Sequence, residues 1–194
     1  MKLLRVLFTL TVLGAAGAAT YVYLGLYPIG ADVSHTRPVY WLLETARERS
    51  IAARIGDIHV PPLDNPQMLL SGGADYNDMC AGCHLKPGRS ESDMSIGLYP
   101  KPPNLSQADG AHGDSHDHGE VQARAARQFW IIKHGIKASG MPAWGPTHDD
   151  ARIWAMVAFL QKLPTLTPAQ YQILTARGDG MAHDAHGGVT GDDQ

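Results

Sequence analysis

Nowhere in this 194-residue chain do apolar and polar side chains alternate over a useful length, and no segment repeats another. Neither a sheet-based fold nor a solenoid is therefore expected. Basic stripes interleaved with aromatics are also missing: 16 Lys and Arg stand against 19 Asp and Glu, a net charge of −3. A nucleic-acid partner has no electrostatic support in that balance. Only two cysteines occur, Cys80 and Cys83. What is present is 44% hydrophobic content, enough for a core, in a length that suits one ordinary domain with accessories.

Charge is absent in a second sense, because no charged residue lies between Arg5 and Asp32. A helix needs about 20 apolar residues to cross the hydrocarbon core, and LFTLTVLGAAGAATYVYLGLYPIG is long enough. Ala15, Ala16, Ala18 and Ala19 offer small residues for a signal-peptide cut. Apolar character nevertheless continues through Tyr21, Val22, Leu24, Leu26 and Tyr27, beyond the usual apolar region of a signal, which favours an anchor. In either case Lys2 and Arg5 hold the N-terminus in the cytoplasm and send the rest across the membrane. Setting those two aside leaves 14 basic side chains against 19 acidic, a net charge of −5 for the exported part.

Beyond the anchor the chain reads as helices separated by proline-rich loops. Thr36 can cap a helix from Pro38 to Ile55, stopped by Gly56, with Val39, Leu42, Leu43, Ala46 and Ala53 close to one apolar face. Asp64 or Asn65 can cap a second helix over residues 66–78, which delivers the chain to Cys80. A third fits EVQARAARQFWIIKH, with Val121, Ala125, Gln128 or Phe129, and Ile132 spaced for burial. A fourth runs from Asp149 to Leu163, and its IWAMVAFL run predicts burial around most of the circumference. TPAQYQILTA forms a short terminal helix capped by Thr167.

The two cysteines stand in Cys80-Ala81-Gly82-Cys83-His84. A disulfide is chemically open to an exported chain but leaves His84 without a role. Zinc needs two more ligands, and His112, His116 and His118 do not stand at the usual second-pair spacing. A redox dithiol wants a strand before it, and none is visible. Covalent haem attachment uses everything: in C-x-x-C-H the two thiols bond the porphyrin vinyl groups, and the adjoining histidine is placed under the iron.

An iron so held has a sixth position to fill. Met94 stands only ten residues after His84, too close to pass around the ring edge. Met156 reads as core filling in the fourth helix, and Met181 belongs to a Gly- and His-rich tail. Met141 stands in ASGMPAWG, between the third and fourth helices, where Gly140 permits close approach and Pro142 stiffens the turn. His134, after FWIIK and before Gly135, is the rival. Trp144 can pack on a haem or donate its indole N–H to a propionate, although a plain core aromatic is equally consistent. Arg47, Arg49 and Arg54 can neutralise propionates, but a solvated helix face is the simpler account.

The CAGCH motif, the YPKPPNL loop, and Gly140-Met141-Pro142 followed by an apolar terminal helix together resemble the class I monohaem cytochromes c of the membrane-anchored bacterial type. The resemblance spans roughly residues 60–177, and its attachment motif is more specific than the rest. It implies an all-α cytochrome c fold around one covalently attached haem c, here preceded by a transmembrane helix and an extra amphipathic helix. It also implies that the helix of residues 66–78 crosses that of 149–163 near the haem edge, with Cys80 and Cys83 as thioether links, His84 as proximal ligand and Met141 as distal ligand. The expected organisation is an anchor or uncleaved signal at 1–30, a helical linker at 31–65, the cytochrome domain at 66–177 and a flexible His/Gly/Asp-rich tail at 178–194.

With both axial positions filled, the iron carries single electrons rather than performing bond chemistry. Redox proteins, a dehydrogenase or an oxidase, are the implied partners, and the bacterial inner membrane with a periplasmic cytochrome domain is the implied location. The charge of −5 favours partners with basic docking patches. The other class of function is an open-site haem enzyme or sensor that binds a small ligand once the Met141 loop is displaced. DGAHGDSHDHGE, residues 109–120, departs from a minimal cytochrome; its histidines, with His183 and His186, can bind Cu or Zn loosely, although solvated polar segments commonly have this composition.

Overall fold

The computed structural model describes residues 1–107 and 118–176, and all regular structure among them is helical. The chain divides into two units, Met1–Ser34 and a second that begins at His35. The insertion, apart from its last three residues, and the whole 178–194 tail lie outside the described residues, as do the metal-binding expectations placed on them.

The first unit is built on α1, Lys2–Tyr23, with a mean hydropathy of 1.7 in its best window. At 1.5 Å per residue its 22 residues span about 33 Å, the thickness of a hydrocarbon core. Its threonines are internally satisfied: the hydroxyls of Thr9, Thr11 and Thr20 each donate to the carbonyl four residues back, at 2.9 Å. Without such partners a hydroxyl in hydrocarbon would be costly.

The second unit contains α2 (Arg37–Ala52), α3 (Pro66–Asp75), α4 (Ala81–His84), α5 (Asp93–Ile96), α6 (His118–His134), α7 (Asp150–Lys162) and α8 (Pro168–Thr175). Of the two caps proposed for α3, Asn65 supplies it, its side chain accepting from the Gln67 N–H at 2.8 Å. The helix does not stop near residue 78. A π-helical turn, Tyr76–Cys80, joins α3 to α4, so the chain stays helical from Pro66 through His84. One residue inserted into a helical turn re-aims the side chains after it, a device common at functional sites.

The core forms where α3 crosses α7. Residues 153–160 of α7 are all buried, as their unbroken apolar run predicts. Gly72 of α3 lies against the backbone of Ala155 and Met156, leaving no room for a side chain. Asp75, buried at the same crossing, accepts from Arg152 Nε at 2.6 Å and from its Nη2 at 2.8 Å. That two-pronged geometry fixes the register of the two helices as well as their attraction. α6 closes another side through Ala125, Phe129 and Ile132, with Phe129 stacked on Trp154 at 4.2 Å between centroids.

The expectation for the first helix of this unit fails in one respect. α2 buries Ile51, whereas Leu42, Leu43, Ala46 and Ala53 are exposed and Val39 is only half-buried. It meets α6 through charge instead: Arg127 donates to Glu48 at 2.9 Å, and Arg47 donates to both Glu44 and Glu48. Burial pulls the Glu48 carboxyl upward, but its bonds to Arg127 and Arg47 outweigh that and hold it below the ordinary range. Helical periodicity finds an apolar face without saying whether the domain has a surface ready to cover it.

Candidate haem-attachment site

The motif sits on α4 and on the π turn before it, with Cys80, Cys83 and His84 all half-buried. Both cysteines are free. Burial, followed by the charges of Asp75 and Cys83, pushes the Cys80 thiol up to about 12, which keeps it a thiol. A reactive redox dithiol needs the opposite, a thiol lowered towards the thiolate. Among the described residues no cluster of three or more His, Cys, Asp or Glu side chains could hold a metal ion, so the zinc alternative finds no partners there.

His84 is held from two directions. Its Nδ1 lies 3.0 Å from the carbonyl oxygen of Pro103, and its own carbonyl accepts from the Leu105 N–H at 3.1 Å. A carbonyl can only accept, so Nδ1 carries the proton and Nε2 keeps its lone pair. This is the tautomer a metal requires, with the ring oriented by the bond on its far side. Burial also lowers the His84 pKa, only partly opposed by the Pro103 bond, and favours the neutral imidazole.

Tyr76 braces the exit from the motif. Its buried hydroxyl donates to the Leu85 carbonyl at 2.6 Å, with a longer contact of 3.2 Å to that of His84. Leu85 itself adopts φ +68°, a left-handed conformation that costs a branched side chain about 1–2 kcal/mol and needs outside support. Tyr76→Phe is accordingly expected to destabilise the domain by about 1–3 kcal/mol, because the Leu85 carbonyl is left buried without this donor. Thermal unfolding followed by circular dichroism checks this; an unchanged midpoint would show that the hydroxyl is not a brace.

Met141 reaches the core by a different route. Gly135 ends α6 with φ +63°, and the following loop folds back onto the helix end. The Trp144 N–H donates to Ile132 O at 3.0 Å, the Gly145 N–H to Lys133 O at 2.9 Å, and the Ile136 N–H to Met141 O at 3.1 Å. Two of the last carbonyls of α6, those of Ile132 and Lys133, are thereby satisfied by the loop itself. Met141 and Trp144 pack against the same buried core that Cys80 and Ala81 touch. Trp144 also meets His148 edge-on at 5.2 Å.

The remaining candidates separate plainly. His134 is exposed at the last residue of α6, against Trp130 at 4.8 Å. Met94 is exposed, and Met156 is fully buried in α7 as core filling. Arg47 is committed to its two glutamates, and Arg54 donates to the Ser50 carbonyl at 2.7 Å, which matches the simpler reading of a solvated helix face. Cavities of about 640 and 420 Å³ open beside the motif, sharing Asn77, Lys86 and Arg89 in their walls, and none of the five candidate residues lines either.

A family model described as cytochrome C oxidase, cbb3-type, subunit III, matches residues 67–160. The second unit carries a class I cytochrome c domain. No curated protein and no solved structure matches the chain. The matched cytochrome segment begins in α3, contains the CAGCH motif and the Met141 loop, and ends in α7. Both crossing helices of the core therefore belong to it, whereas α1, α2 and α8 lie outside. Haem c binding and electron transfer are the properties of this domain class. The Pro103 carbonyl, the Tyr76 hydroxyl and the Asp75–Arg152 pair supply what the linear reading missed. The first lies in the proline-rich loop that the sequence does mark; the others carry no local signal, since their partners stand 9 and 77 residues away.

Proposed function

We propose that this protein is a membrane-tethered electron carrier with one haem c, bonded through Cys80 and Cys83 and ligated by His84 and Met141. The observation that carries the reading is the His84–Pro103 bond, which leaves Nε2 unprotonated and the ring fixed. The apolar surroundings shared by Cys80 and Met141 fit a porphyrin, and the loop docking that satisfies α6 supports Met141 as the sixth ligand over the exposed His134. Bound there, the haem supplies reversible one-electron chemistry, and a neutral thioether ligand favours the ferrous state.

The chain's own contribution is to orient His84, to bring up Met141, and to keep water from the iron with the surrounding core. Trp144, packed beside the methionine loop, covers the same apolar wall. α1 crosses the bacterial inner membrane with Lys2 and Arg5 on the cytoplasmic side, which sends the cytochrome domain to the periplasm. The match to a cbb3-type oxidase subunit supports a partner within a terminal oxidase complex, which takes electrons from this domain.

Mass spectrometry of the protein from a host equipped for cytochrome maturation is expected to find an adduct of about 616 Da on the 80–83 pair. Loss of covalent haem from Cys80→Ala and Cys83→Ala, and loss of the far-red sulfur-to-iron absorption from Met141→Ala, complete the test. Rapid cyanide binding by the unaltered protein would instead indicate an open site and overturn the carrier reading.

A further inference from the structure

Helix α2 lies outside the matched cytochrome segment, and its two sides differ in chemistry. The inner side carries Ile51, which is buried, while Glu48, seven residues on from Trp41, stands at the boundary between the two sides, bound to Arg127. Trp41 and Leu42, 66% and 60% exposed, lead the outer side. At 100° per residue, Thr45, Ala46 and Arg49 share that outer face with them, giving an aromatic and aliphatic band that ends in a cation. Between residues 37 and 54 stand four arginines, Arg37, Arg47, Arg49 and Arg54, against two glutamates, so the segment is basic although the exported part as a whole is acidic. An exposed tryptophan beside leucine, flanked by arginines, is the composition of helices that lie in a membrane interface.

Chain length points to the same occupant. Thirteen residues, Leu24 to Thr36, separate α1 from α2. Fully extended they reach about 45 Å, so a bilayer that holds α1 keeps α2 permanently within range of its surface. We propose that the outer face of α2, led by Trp41 and Leu42, seats in the interfacial layer of the bilayer that α1 crosses, with Arg37 and Arg49 against anionic phospholipid headgroups. The proposal rests on the reading of α1 as an uncleaved anchor.

The seat would orient the electron carrier. Tyr40, Leu43 and Arg47 of α2 line a cavity of about 40 Å³ together with Ile136, Ala138 and Ser139, and Ser139 Oγ accepts from the Met141 N–H at 3.2 Å. The methionine loop thus leans on the helix whose other side meets the lipid. Only the width of α2, about 10 Å, would then separate the loop from the headgroups. A partner embedded in the same membrane would find this side of the domain presented to it, without a search through rotations.

The test uses the full haem-loaded chain in nanodiscs of phosphatidylglycerol and phosphatidylcholine doped with a lipid bearing a headgroup-level photoactivatable diazirine. Peptide mapping is expected to find adducts on α1 and on residues 38–46, the latter about tenfold above those on α8, which also exposes an apolar side chain at Ile173. Trp41→Glu combined with Leu42→Glu should abolish the α2 adducts and leave those on α1 and the haem spectrum unchanged. Pure phosphatidylcholine should weaken labelling of α2 alone. Adducts on α1 with none above the α8 level on α2 would overturn the membrane seat while leaving the anchor intact. Absence of adducts from both helices would overturn the anchor, and the seat with it.

Discussion

Gly72→Ala is expected to prevent the cytochrome domain from holding its fold. A Cβ at this position would overlap the backbone carbonyl of Ala155 and stand 2.8 Å from the Met156 nitrogen. These obstacles are main-chain atoms in the buried stretch of α7, residues 153–160, so no side-chain rotation relieves the overlap. α3 and α7 would have to separate, which opens the contacts of Ile153, Met156 and Phe159 and stretches the bonds between Asp75 and Arg152. Overpacking against a rigid neighbour costs about 1–3 kcal/mol where side chains can adjust, and about 4–5 kcal/mol is reasonable where they cannot. Alanine's better helix propensity returns only about 1 kcal/mol. Against a typical total of about 5–15 kcal/mol this is a large fraction. Circular dichroism melts and haem yield check the outcome, with Gly56→Ala, where a Cβ meets open space, as the neutral comparison. A Gly72→Ala protein that melts within a few degrees of the parent would refute the close crossing.

Gly135→Ala should leave the fold largely formed and disconnect the distal side of the site. Two effects combine at this residue. Its φ of +63° costs an alanine about 1 kcal/mol, and its new Cβ would lie 2.6 Å from the carbonyl carbon of Pro142, 2.7 Å from Ala143 N and 2.7 Å from Met141 O. α6 is packed into the core and the loop is half-exposed, so the loop is the part that yields. With Met141 as the sixth ligand, its displacement removes the sulfur-to-iron absorption and lowers the reduction potential by on the order of a hundred millivolts. A vacated position also admits cyanide. Spectroscopy and redox titration of Gly135→Ala, beside Met141→Ala, provide the check, and the two variants should agree in both signals. An unaltered band in Gly135→Ala would mean that the loop is not tied to the end of α6 as the close approach requires.

Much of this protein is legible in one dimension because the relevant physics is local. CAGCH places two thiols and an imidazole within five residues, and no folding is needed to see what they can bind together. The apolar run of α7, the capping residues Asn65, Asp149 and Thr167, and the uncharged stretch of α1 each act within a few residues of themselves. The crossing of the helix before the motif with the last long helix is also reproduced, with glycine at the contact.

Failures arose where two distant segments had to be compared. The apolar face of α2 was legible, but its being left uncovered was not, because α6 offers that helix Arg127 rather than a hydrophobic groove. The π turn that extends the motif helix likewise carries no local signal, since helix propensity does not select an extra residue per turn.

By itself the sequence determined the chemistry: an uncharged stretch long enough for a bilayer, two thiols with an adjoining histidine, and a helical pattern throughout. Tertiary structure alone decided which nitrogen of His84 is protonated, how Gly135 receives the Met141 loop, and which face of α2 remains exposed. The physical reason is range. Covalent spacing and helical periodicity act along the chain, whereas tautomer, loop docking and burial depend on atoms brought together from its distant parts.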